Sequence, residues 1–200
     1  MIRICIAEDQ SLVRGALAAL LDLQEDIEVV AQATDGQEAI DLCLENKPDV
    51  ALVDIEMPVQ SGLDVTRVLS EKLPSCAVLI VTTFARPGYL QRAMTFGAKG
   101  YVLKDAEIDD LVKAIRIVHA GGTVMDPTLM REAWQAQNPL SQREMELLRR
   151  AREVTSTKDL ARILFLSEGT VRNYWSEILS KLHVSSRQEA IQLAIDKGWV

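Results

Sequence analysis

Val50-Ala51-Leu52-Val53-Asp54 decides the reading of the first half of this chain. Four apolar residues follow one another without a polar break, and a carboxylate closes the run. A short continuous apolar run suits a strand covered on both faces. Val78-Leu79-Ile80-Val81-Thr82 repeats the pattern with a hydroxyl at its end. Ile2–Ala7, Ile27–Ala33 and Gly100–Leu103 are further strand candidates; the first runs into Glu8-Asp9 and the last into Lys104. Helices are predicted over Ser11–Leu23, Gln37–Glu45, Leu63–Lys72, Gly88–Phe96 and Ile108–His119, from apolar spacing such as Leu12, Ala16, Leu20 and Leu23. Alternating β and α elements build a doubly wound, five-stranded parallel sheet with helices on both faces. Such sheets bind ligands beyond the carboxyl ends of their strands, where the strand order reverses. Glu8, Asp9, Asp54, Thr82 and Lys104 all lie at those ends.

The 200 residues carry a net charge of −7, shared unevenly as −8 over residues 1–120 and +1 over residues 121–200. An acidic front and an Arg-rich back suggest two modules with different partners. No run approaches the ~18 apolar residues that a membrane helix needs, and Met1-Ile2-Arg3-Ile4 enters a strand directly, so no secretory signal is expected. Cys5, Cys43 and Cys76 share no close spacing and read as reduced core residues of a cytoplasmic protein. His119 and His183 are the only histidines. Two distant histidines argue against a zinc site or a histidine-based triad.

Clustered carboxylates do not all ionise unless a cation sits among them. Oxygen donors suit Mg²⁺, which binds one or two carboxylates together with a phosphate. Lys104 would then neutralise a phosphoryl oxygen, Thr82 would hydrogen-bond another, and Asp54 would be the nucleophile. Each residue also has a plain reading. Asp9 suits a helix N-cap, Asp54 a turn, Lys104-Asp105 a solvated pair, and Thr82 a β-branched strand end. Their shared placement at strand ends favours the chemical reading.

These residues also carry a family pattern. Ile6-Ala7-Glu8-Asp9, Val53-Asp54-Ile55-Glu56-Met57-Pro58, Thr82-Thr83-Phe84 and Gly100-Tyr101-Val102-Leu103-Lys104 make residues 1–120 resemble the receiver domain of bacterial two-component response regulators. The resemblance implies a flavodoxin-like fold with Asp54 as phosphoacceptor from a sensor histidine kinase. It implies Mg²⁺ held by Glu8, Asp9, Asp54 and the backbone carbonyl of Glu56. It also makes Thr82 the switch hydroxyl and Tyr101 the aromatic residue that follows it. Asp105 stands where many receivers have proline. Thr82–Tyr89 looks closest to regulators that answer membrane-associated kinases for lipid or envelope state.

From Gly121-Gly122 the pattern changes. Residues 121–138 read as a linker, with a short helix predicted over Thr128–Gln137. Residues 139–200 are read as a small four-helix domain: Ser141–Arg152, Thr157–Leu164, Ser167–Leu182 and Ser186–Lys197. Ser141 with Glu144 and Ser185 with Gln188 are expected capping boxes. The pair Thr157–Leu164 and Ser167–Leu182 suggests two helices joined by a tight turn, the second entering a DNA major groove. Thr170, Arg172, Asn173 and Ser176, with Lys181 towards the helix end, are the candidate DNA contacts. Val171, Tyr174, Ile178 and Leu182 are expected in the core. A plain helical bundle with a solvated Arg face is the alternative. Asn138-Pro139-Leu140-Ser141-Gln142-Arg143-Glu144, Lys158-Asp159-Leu160-Ala161, Ser167 to Asn173, Lys181-Leu182-His183-Val184 and Arg187-Gln188-Glu189-Ala190 resemble the LuxR-type helix-turn-helix of the NarL/FixJ regulators. Val154 and Trp175-Ser176 depart from the residues usual there.

Together the two resemblances imply a phosphorylation-dependent transcriptional regulator rather than an enzyme. It would bind promoter DNA as a homodimer once phosphorylated, without membrane insertion. An aspartyl-phosphate hydrolase is a second reading, although those enzymes carry an Asp-x-Asp nucleophile on the first strand. A DNA binder with a vestigial pocket is a third.

Overall fold

A computed structural model describes residues 1–83, 87–125, 138–154 and 156–200. The expected helix over Thr128–Gln137 and residues Phe84, Ala85 and Arg86 lie outside the described residues. The chain divides into two compact units, the first holding the sheet and the second the C-terminal helices. Among the described residues no helix is long and apolar enough to cross a membrane.

The first unit alternates β1 (Ile2–Ala7), α1 (Ser11–Leu21), β2 (Ile27–Ala33), α2 (Gly36–Asn46), β3 (Val50–Val53), α3 (Gly62–Lys72), β4 (Ala77–Thr82), α4 (Pro87–Thr95), β5 (Gly100–Leu103) and α5 (Ile108–His119). All strand pairs are parallel, and these five strands lie in the order β2-β1-β3-β4-β5. The five expected strands are therefore present, and β6 (Val124–Met125) is added. After α5 the Gly121-Gly122 turn returns the chain beside β5, where Gly100 pairs with Val124. Gly121 has φ 85°, a conformation glycine adopts without steric cost.

Ile2, Ile4 and Ile6 of β1 pack with Ala18 and Leu21 of α1 and Leu111, Val112 and Ile115 of α5. Cys5 points the other way, since successive strand residues alternate faces. There it meets Cys43 of α2, which also reaches Cys76. All three thiols are buried and free. Hydrogen bonding with Cys5 and Cys76, together with burial, pushes the Cys43 thiol well above the ordinary cysteine range. The thiol is thus held protonated and unreactive.

The strand order reverses between β1 and β3. Ala7 pairs with Val53 there, so the residues that follow them, Glu8 and Asp54, emerge side by side. Two glycines let neighbouring backbone close in. A Cβ on Gly62 would overlap the Asp54 carbonyl, and one on Gly36 would overlap that of Gln60. Between them Val59 has φ 67° and is 77% exposed. Gln60 N–H donates to the Pro58 carbonyl at 2.7 Å, and so does Gly36 N–H at 3.2 Å. A β-branched residue in this left-handed region is strained.

The second unit holds α6 (Gln142–Ala151), α7 (Thr157–Ile163), α8 (Glu168–Leu182) and α9 (Arg187–Asp196). Its own core includes Leu147, Leu148, Leu160, Val171, Ile178 and Trp199. The Ser141–Glu144 capping box is present. The second box is corrected by one residue: Ser186 with Glu189 forms it, not Ser185 with Gln188. Ser185 instead donates its N–H and hydroxyl to the Glu189 carboxylate.

Relief of the left-handed turn gives a direct test. Val59→Asn, which tolerates φ > 0, is expected to stabilise the chain by about 1 kcal/mol. Urea unfolding measures this, and an unchanged or lower midpoint shows that the turn stores no strain.

Candidate functional site

Backbone hydrogen bonds extend the sheet ladder one residue beyond the strand ends. Asp54 N–H donates to the Ala7 carbonyl at 3.0 Å, Glu8 N–H to Ala33 at 3.1 Å and Lys104 N–H to Thr82 at 2.8 Å. The side chains of β1, β3, β4 and β5 ends therefore meet at the switch point. Carboxylate oxygens of Glu8, Asp9 and Asp54 lie within 4.8 Å of one another. Lys104 Nζ sits 2.6 Å from Glu8 Oε2 and 2.9 Å from Asp54 Oδ2. Asp54 Oδ1 accepts the Ile55 N–H at 2.7 Å, and Glu8 Oε1 accepts the Gln10 N–H at 3.2 Å. Glu8, Asp54, Thr82 and Tyr101 are buried, whereas Asp9 opens to solvent.

One ammonium does not balance three carboxylates. Burial pushes the Glu8 carboxyl up, and the pull of Lys104 downward does not fully offset it; the charge on Asp54 adds to the rise. Burial pulls the Lys104 ammonium down, but its bonds to Glu8 and Asp54 carry it above the ordinary lysine range. The two directions agree, because the ammonium has two partners while each carboxylate has only a share of one cation. An oxygen-only, electron-rich donor set with one open side fits a hard divalent cation such as Mg²⁺.

The plain readings fare unevenly. Gln10, not Asp9, is the N-cap of α1, and no side chain caps that helix. Lys104 is turned inward with only 11% of its side chain exposed, so it is no solvated surface pair. Sequence reasoning missed Arg14, whose Nη1 donates to the Glu8 carbonyl at 2.7 Å. A cation one turn into α1, behind an acidic pair, was the available signal. It also missed Tyr89, whose hydroxyl donates to Glu56 Oε1 at 3.3 Å.

In the second unit, Ser167 caps α8 by accepting the Thr170 N–H at 3.0 Å, and the two hydroxyls lie 2.9 Å apart. Arg172, Asn173 and Ser176 are exposed on the helix, as a groove-reading edge requires. Arg172 makes only a loose 3.7 Å contact with exposed Glu168. Val171, Trp175, Ile178 and Leu182 are the buried residues of α8, so Trp175 takes the core place expected for Tyr174, which packs at the core edge. Arg187 stacks over the Trp175 ring at 5.0 Å and donates to Thr157 Oγ1 at 3.1 Å, tying α9 to α8 and α7.

Lys181 is not grouped with the reading edge. Its Nζ lies 2.8 Å from both carboxylate oxygens of Glu144, a side chain only 1% exposed. The same carboxylate accepts the Ser141 N–H at 2.6 Å. Burial pushes the Glu144 carboxyl up, but Lys181 and the Ser141 hydrogen bonds more than offset it and hold it below the usual range. The pair joins the start of α6 to the end of α8.

Two family models cover most of the chain. The response regulator receiver domain matches residues 4–116, and bacterial regulatory proteins of the luxR family match residues 138–194. The transcriptional regulatory protein YvfU of Bacillus subtilis (strain 168), itself uncharacterized, is 52% identical over 200 residues and is covered fully on both sides. The transcriptional regulatory protein DesR of the same organism is 47% identical over 199 residues, covering 100% of this chain and 99% of DesR. Among solved structures, the response regulator ChrA of a heme-sensing two-component system superposes with TM-score 0.59 at 34% identity, covering 100% of this chain and 98% of ChrA.

Glu144→Gln is expected to cost about 1–3 kcal/mol. That is less than for a fully buried pair, because Lys181 is partly solvated. Since the folded carboxyl is held low, the pair's contribution is complete above about pH 4.3, the ordinary Glu value, and is lost as pH falls through the depressed folded value. Thermal unfolding of wild type and Glu144→Gln from pH 3 to pH 7 checks this; a constant difference across that range removes the ion pair as its cause.

Proposed function

Since this chain belongs to the response regulators, a receiver domain joined to a LuxR-type DNA-binding domain, we propose that its regulation of transcription is switched by phosphorylation of Asp54. The donor is the phosphohistidine of a sensor kinase. The observation that carries the reading is the single ammonium of Lys104 bridging buried Glu8 and Asp54 at the strand switch point. The receiver spans residues 1–120, a linker 121–138 and the DNA-binding domain 139–200. The protein works in the cytoplasm, where both kinase and promoter are met.

An Asp54 carboxylate oxygen forms a P–O bond as the donor's P–N bond breaks, and the histidine nitrogen leaves with the bond's electrons. Glu8, Asp9, Asp54 and the Glu56 carbonyl would hold Mg²⁺, which would supply charge neutralisation for the transferring group. Lys104 turns part of its bonding from Asp54 to the phosphoryl oxygens. The Ile55 N–H, already on Asp54 Oδ1, keeps the carboxylate oriented. Arg14 holds the Glu8 carbonyl and so keeps the β1 end in place.

The acyl phosphate brings a charge of roughly −1.5 to −2 and three acceptor oxygens. The Thr82 hydroxyl hydrogen-bonds one of them, and buried Tyr101 follows Thr82. The changed surface favours a homodimer, and its two α8 helices read half-sites about one DNA turn apart. Thr170, Arg172, Asn173 and Ser176 make the contacts. Lys181 acts through Glu144, fixing α8 on its scaffold, and adds charge near the DNA backbone.

Two outcomes are expected. With acetyl phosphate and Mg²⁺, the wild type gains a slower band on a phosphate-affinity gel, while Asp54→Asn and an EDTA-treated sample gain none; a phosphorylated Asp54→Asn band sinks the assignment. Selection of duplexes from a random pool is enriched by the phosphodonor for the wild type only. Affinity for a selected duplex falls with salt at a log–log slope of about −0.9 per phosphate contacted; a slope near zero counts against backbone contacts.

A further inference from the structure

The turn between α7 and α8 carries an aromatic residue that the fold does not need. Phe165 is 95% exposed, more than any other large apolar residue described. Its φ is 54°. Phe165 N–H donates to the Arg162 carbonyl at 3.3 Å and Leu166 N–H to the Ala161 carbonyl at 2.8 Å. These two bonds form the glycine-type helix stop known as the Schellman motif, with Phe165 at its left-handed position. Glycine or asparagine fits there at lower conformational cost. Phe165 therefore pays twice, in backbone strain and in exposed apolar surface. Neither packing nor capping explains the residue.

Its location does. Phe165 lies two residues before Ser167, the N-cap of α8, and the exposed Arg172, Asn173 and Ser176 follow on that helix. Ile163 is also partly exposed, and Arg162 next to it has 79% of its side chain in solvent, in a surface pair with Asp159. An aromatic and an aliphatic side chain beside a solvated guanidinium match the edge of a major groove. Thymine methyls and deoxyribose present apolar surface there, flanked by phosphates. Phe is among the side chains that contact the thymine methyl.

We propose that Phe165 is a DNA contact, seated on a thymine methyl or sugar where the turn meets the groove, with Arg162 moving from Asp159 to a phosphate. This rests on the DNA-binding reading above. It adds a sequence-selecting residue outside the recognition helix.

The test uses the full-length chain with acetyl phosphate and Mg²⁺, and a fluorescent duplex enriched from a random pool by the wild type. Phe165→Asn, which accepts the left-handed turn, is expected to keep or raise the melting temperature while weakening binding about 5- to 20-fold. Replacing thymines one at a time by deoxyuridine is expected to weaken the wild type at one position in each half-site and to leave Phe165→Asn unaffected there. Equal affinity of Phe165→Asn and wild type overturns the contact. So does a loss of affinity that sedimentation traces to lost self-association of the DNA-free protein, which makes Phe165 a contact between copies. A wild type that enriches no duplex sinks the DNA-binding reading itself, and the Phe165 contact with it.

Discussion

A single lysine ammonium shared between two buried carboxylates sets the character of the first domain. Glu8 and Asp54 are brought together by strand pairing, not by mutual attraction, and Asp9 adds a third acidic group at the rim. Ionised groups in a buried cleft repel strongly, and among the described residues Lys104 is the cation that pairs with them. The site is therefore under-neutralised by construction. Such a donor set fits a hard cation, which would remove repulsion that the sheet imposes. The glycine at position 62, which lets α3 close on the Asp54 carbonyl, shows how little slack the surrounding backbone allows.

Much of this was legible in residues 1–120. Continuous apolar strands announce burial on both faces, and the parallel order then sends every strand's last residue to the same edge. Glu8, Asp54 and Lys104 meet for that reason, although they stand 46 and 50 positions apart. What escaped was local. β6 is two residues long and carries no periodic signal. Ser185 and Ser186 are both followed three residues later by a side chain able to close a capping box, so only the path of the backbone selects between them. Tyr174 and Trp175 are adjacent aromatics on a helix, and a rotation of one residue exchanges which is buried. Arg14 acts through a backbone carbonyl, a role that residue type does not reveal.

The second domain shows the same limit over a longer range. Lys181 lies near the end of a helix read as DNA-facing, and basic residues there suggest phosphate contacts. Its actual partner, Glu144, is 37 positions earlier and belongs to a capping box that was read correctly. The box accounts for why a glutamate is there but not for its burial. Once buried, that carboxylate needs a cation, and the end of α8 supplies one. Family resemblance identified the helix; the physical role of its one lysine came only from three-dimensional packing.

Helix α8 is thus fastened at its first turn by Ser167, along its middle by Trp175 under Arg187, and near its last turn by Lys181 on Glu144. Arg172, Asn173 and Ser176 take no part in those fastenings. With the proposed DNA-reading role at these outward positions, gene duplicates of such a regulator would diverge there and acquire new target promoters, while inheriting an unaltered chassis.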